Sequence, residues 1–93
     1  MNNNPSKKEI INKAIKLHLE GNISQAAKYY QHCLNNGIND HKVFSNYGII
    51  LQNLGKLKEA EISYRKAIEI KPDYAEAYSN LGAIFNDLGK LKE

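Results

Sequence analysis

Residues 45–59 read SNYGIILQNLGKLKE and residues 79–93 read SNLGAIFNDLGKLKE, with ten of the fifteen aligned positions identical at an offset of 34. A second step back by the same offset finds a diverged copy. Asn12, Leu17, Gly21, Ala26 and Tyr30 fall on Asn46, Leu51, Gly55, Ala60 and Tyr64 without a gap. Self-similarity at a fixed period restricts a chain to architectures in which one small unit is repeated and each unit leans on its neighbours.

Each unit reads as a pair of helices. Ile10, Ile11, Ala14, Ile15 and Leu17 recur at helical spacing. Ser6-Lys7-Lys8-Glu9 and Asp73-Tyr74-Ala75-Glu76 are capping-box sequences, and Asp40 is suited to cap the helix between them. Gly21, Gly55 and Gly89 each follow a helical run, where a left-handed terminal residue is easiest for glycine. Gly37 and Pro72 close the second helices. Helices are expected at 6–20, 23–36, 41–54, 57–70 and 74–88, with no strand.

The period and the residues that mark it resemble the tetratricopeptide repeat. The copy from His41 to Tyr74 carries the family's pattern most fully: Phe44, Tyr47-Gly48, Leu51, Gly55, Ala60, Tyr64, Ala67 and Pro72. The copy from Ala75 keeps Tyr78, Leu81-Gly82, Phe85 and Gly89. The first copy departs most, with Ala14, Cys33 and Ile38 where the family has Gly, Ala and Pro. The resemblance implies an all-α solenoid of stacked antiparallel hairpins, about two and a half repeats long. The expected layout is a tail at 1–6, a diverged repeat at 7–40, a repeat at 41–74 and a truncated repeat at 75–93. Gly48 and Gly82 are expected to admit close neighbours. Tyr30, Tyr64, Phe44 and Tyr78 are expected to fill between hairpins, leaving Tyr29 as the exposed tyrosine.

Composition excludes several functions. The net charge of +3 lies wholly in residues 1–42, with six Lys against three acids; residues 43–93 balance seven against seven. A nucleic-acid binder needs a basic face, which this distribution does not supply. No apolar run approaches the ~18 residues of a membrane span, and the N-terminus has no apolar stretch like a signal peptide's, so a cytoplasmic location is the expectation. Cys33 is the only cysteine, and His18, His32 and His41 show no metal-binding pair at helical spacing. LGKLKE is a helix end and not a phosphate loop, and nothing resembles a nucleophile, base and orienting acid. The chain reads as a binding protein and not an enzyme, with no cofactor.

Function is expected on the first helices. Asn12, Asn46 and Asn80 stand 34 apart, in one register of three successive helices. An Asn amide offers both donor and acceptor, so it can pair with a peptide backbone N–H and C=O together. The resemblance places this register on a concave face, where such a ladder looks like that of the O-linked N-acetylglucosamine transferases. Around it, one helical turn away, lie Lys8 and Lys42 on one side and Ile15, Ile49 and, further on, Asn53 on the other. Some tetratricopeptide proteins hold a C-terminal carboxylate in a Lys/Asn/Arg clamp. Only Asn46 matches that pattern; Ile11, Ile15, Glu76 and Asn80 depart from it.

The function expected is therefore a scaffold that binds an extended polypeptide, its identity open. The alternative is the non-catalytic repeat region of a larger glycosyl- or sulfotransferase. The third copy stops before its second helix, so the chain is expected to be a fragment that exposes Tyr78, Leu81, Ile84, Phe85 and Leu88 and self-associates through them as a symmetric dimer.

Overall fold

The computed structural model describes residues 4–92, and the side chains of residues up to 89. Five helices follow one another: α1 (Lys7–Leu19), α2 (Ile23–Asn35), α3 (His41–Asn53), α4 (Leu57–Ile70) and α5 (Ala75–Lys92). No strand occurs among the described residues. The chain divides after Asn39 into two compact units. The first contains α1 packed on α2. In the second, α4 packs on both α3 and α5, and α3 also touches α5.

The helix starts follow the side chains that cap them. The Ser6 hydroxyl accepts from the Glu9 N–H at 3.1 Å. Asp40 Oδ1 accepts from the Lys42 and Val43 N–H groups at 2.8 and 3.2 Å, satisfying donors that the first turn of α3 leaves free. At the other ends the chain turns through a left-handed glycine. Gly21 and Gly55 have φ of 81° and 79°. Around each, two bonds close the turn in the same way. Gly21 and Asn22 donate to the His18 and Leu17 carbonyls, and Gly55 and Lys56 to those of Gln52 and Leu51, all within 2.9–3.0 Å. These tight turns send α2 and α4 back along the helices they follow.

Gly89 behaves differently. The sequence marks it as a helix end, yet α5 runs through it to Lys92. Helix-interior glycine costs only ~1 kcal/mol against alanine. At Gly21 and Gly55 the next helix packs back on the one before, α2 on α1 and α4 on α3. α5 begins at Ala75, one residue later than expected, and the Glu76 carboxylate accepts from the Tyr74 hydroxyl at 3.1 Å.

In the first unit Ala14, Leu17, Ala26, Tyr30 and Cys33 are buried. In the second, Leu51, Ala60, Tyr64, Leu81 and Ile84 form the core, with Tyr47, Ile49, Ile68 and Leu88 packed against it. Removing a side chain such as Ile84 from water contributes roughly 1.5–3 kcal/mol. The small residues set the spacing of the helices. A Cβ at Gly48 would stand 2.8 Å from Tyr64 Cε1, so α3 and α4 approach until a tyrosine ring lies directly against the α3 backbone. Ser63 adds a bond across the same pair, its hydroxyl donating to the Phe44 carbonyl at 2.6 Å. Tyr78 is not a filler: it is about half exposed, and more open than the half-buried Tyr29. Its hydroxyl donates to the Pro72 carbonyl at 2.9 Å, which holds the ring at the surface.

Candidate functional site

The asparagine register divides between the two units. In the first, Asn12 is exposed on α1, with Lys8 exposed before it and Ile15 half-buried after it. In the second, Asn46 on α3 and Asn80 on α5 are both half-buried. Lys42 and Asn53 are exposed near the two ends of α3, and Ile49 is half-buried against the core. The structure therefore brings Asn46 and Asn80 onto two helices in contact and keeps Asn12 on a separate unit.

Asn80 is chemically distinct. Its Nδ2 is out of contact with water and has no hydrogen-bond partner in the protein. Leaving a buried donor unmade costs about 1–3 kcal/mol. The first residue of α5 is Ala75, so Asn80 lies in the second turn, past the cap positions where asparagine is favoured. Asparagine there therefore lowers helix propensity. Ser45 Oγ, on α3, is enclosed as well, beside the Tyr74 phenol.

The charges around this face are few. Glu76 is exposed at the start of α5, and its carboxylate is engaged by the Tyr74 hydroxyl. Burial pushes the Tyr74 phenol above its ordinary value, with the Glu76 hydrogen bond and charge adding to the rise. The Tyr74 ring also meets His41 edge-on, centroids 4.7 Å apart, and lies 5.9 Å from the Lys71 ammonium.

Sequence reasoning missed the polar contacts between first and second helices. His18 Nδ1 lies 3.2 Å from the Tyr30 hydroxyl, and the rings meet edge-on at 74°. In the second unit the Tyr64 hydroxyl donates to Gln52 Oε1 at 2.9 Å. Both members of each pair are related by the offset of 34, so this is one contact made twice, with histidine in one place and glutamine in the other. The signal was present in the repeat alignment, but it requires comparing unlike residues at one register. Burial lowers the His18 pKa. Burial likewise pushes the Tyr64 phenol up to about 12, with the Glu76 charge adding to it, so the group stays a neutral donor.

The apolar residues expected to be exposed on α5 separate into two stripes. Leu81 and Ile84 are buried in the core and Leu88 packs against it, so these three are turned inward. Tyr78 and Phe85 are about half exposed beside them. Positions 81, 84 and 88 share one side of a helix, and 78, 82 and 85 the adjoining side. Cys33 is fully buried where its counterpart, Ala67, is also fully buried. No helix among the described residues is long and apolar enough to cross a membrane.

Comparison with protein families matches residues 48–89 to the model for the TPR repeat. Comparison with curated proteins finds no match. The matched residues run from the glycine of α3 that receives the Tyr64 ring, through α4, into α5. They hold the core cluster of the second unit. With its helical hairpins, left-handed glycine turns and 34-residue register, the chain is similar over residues 48–89 to the TPR repeat.

Proposed function

We propose that the chain is a protein-interaction scaffold whose first helices grip an extended polypeptide through the amides of Asn46 and Asn80, with Asn12 serving the same purpose on its own unit. The observation that carries this reading is the orphaned amide of Asn80. A bound peptide carbonyl would give that donor the partner it lacks, once the side chain turns outward. Asn46, in the same register on the touching helix, offers the second donor–acceptor pair. Recognition of this kind reads backbone and not side chains, so it suits an extended segment of varied sequence. Ile49 adds apolar surface, and Lys42 and Asn53 add polar groups at its two ends. Glu76 would repel a terminal carboxylate, so an internal segment is favoured over a chain end.

The test is a peptide-library screen against the full chain and against Asn12→Ala/Asn46→Ala/Asn80→Ala. Extended peptides are expected to bind the parent, and the triple variant to lose them while keeping its helical spectrum. Equal binding by both, or no binding by either, would overturn the reading.

A further inference from the structure

Gly48 and Gly82 occupy one register, 34 residues apart, but their surroundings differ. Gly48 is covered by the Tyr64 ring, whereas a Cβ at Gly82 would meet nothing within 4 Å. Gly82 lies in an open groove whose walls are Ile68 of α4 and Tyr78, Leu81 and Phe85 of α5, with Arg65 and Glu69 at the rim. Each aromatic ring has a contact within the subunit. Tyr78 is tied to the Pro72 carbonyl at 2.9 Å, and the Arg65 guanidinium lies 5.5 Å from the centre of the Phe85 ring. Holding side chains in place beforehand removes much of the ordering cost of association.

We infer that this groove is a self-association surface, filled by α5 of a second copy in a two-fold antiparallel pair. The residue pattern is self-complementary. With the axis between residues 81 and 82, Tyr78 of one subunit faces the partner subunit's Phe85, and the reverse contact forms at the other end. Gly82 falls at the crossing, where the missing side chain lets two helix axes come close. Charge agrees with this occupant. The rim carries one cation and one anion, Arg65 and Glu69, so a two-fold copy meets no excess of like charge.

Sedimentation of the full chain over concentrations from about 10 to about 500 µM tests the inference. A reversible monomer–dimer equilibrium is expected. Gly82→Glu places a charge in the groove without a clash inside the subunit and improves helix propensity, so its helical spectrum is expected to match the parent's. It is expected to raise the dimer dissociation constant at least tenfold, which is about 1.4 kcal/mol. Ile62→Glu, at an exposed apolar position outside the groove, is expected to leave the dimer intact. A parent that stays monomeric throughout, a Gly82→Glu dimer as tight as the parent's, or a dimer lost in Ile62→Glu would each overturn the inference.

Discussion

The Tyr64 hydroxyl donates to Gln52 Oε1 across 2.9 Å, tying the second helix of a hairpin to the end of the first. The ring is otherwise fully buried, so this bond is the one polar outlet of a large apolar side chain. Tyr64→Phe is expected to cost about 1 kcal/mol, and Gln52→Leu a similar amount. Made together, they should cost less than the sum, because each single change leaves the other group without its partner. A double-mutant cycle by urea denaturation gives the coupling directly. Strict additivity would show that the bond contributes nothing.

Gly48 and Gly82 offer a matched pair of substitutions. Gly48→Ala gains helix propensity but drives a methyl group into a buried ring that the Gln52 bond holds in place. A net loss of roughly 1–3 kcal/mol is expected. Gly82→Ala meets open space and should gain up to ~1 kcal/mol, measured at a dilution where the chain is monomeric. Thermal melts of the two variants should therefore move in opposite directions.

His18 makes the first unit sensitive to acid. Its pKa is lowered in the folded state by burial, so folding favours the neutral ring. The sign follows from linkage. Stability is full above the ordinary histidine value near 6.5, falls as the unfolded chain takes up a proton first, and levels off below the folded value. His18→Gln, which copies the residue at 52, should flatten this part of the profile. The check is a series of denaturation midpoints between about pH 7.5 and 5.5, before the carboxylates titrate. A parent and variant with parallel profiles would refute the assignment to His18.

Asn80→Ala separates stability from binding. Removing the orphaned Nδ2 and gaining helix propensity should raise stability by about 1 kcal/mol. The same change should weaken any peptide that uses the amide. A variant both less stable and equally competent would show that the amide is structural.

Asp40 holds two N–H groups of α3. Asp40→Ala should cost about 0.5–2 kcal/mol, with Asp40→Asn restoring most of it. Denaturant midpoints of the two variants provide the comparison.

The helices were legible because their ends are written in single residues. Ser6 and Asp40 cap as their sequences indicate, and Gly21, Gly37 and Gly55 all take positive φ. Gly89 misled because a glycine permits a turn without compelling one. Tyr78 misled for a related reason. Its register matches a filling position, but the bond to the Pro72 carbonyl and the open groove keep its ring outside. Within the site, the register of Asn46 and Asn80 was readable from spacing. The enclosure of Asn80 Nδ2 was not, since it depends on how closely neighbouring side chains crowd one atom. The His18–Tyr30 and Gln52–Tyr64 pairs escaped because the two copies solve one bonding problem with different chemistry.

Cys33, the chain's only thiol, is fully enclosed in the first unit. A thiol reagent can reach it only when that unit opens, so the rate of its modification is a clock for one hairpin, with no label added. The second unit has no cysteine and is silent to the same reagent. Chemistry supplied by one inherited side chain thus allows the lifetime of one half of the molecule to be timed while the other half is left unmarked.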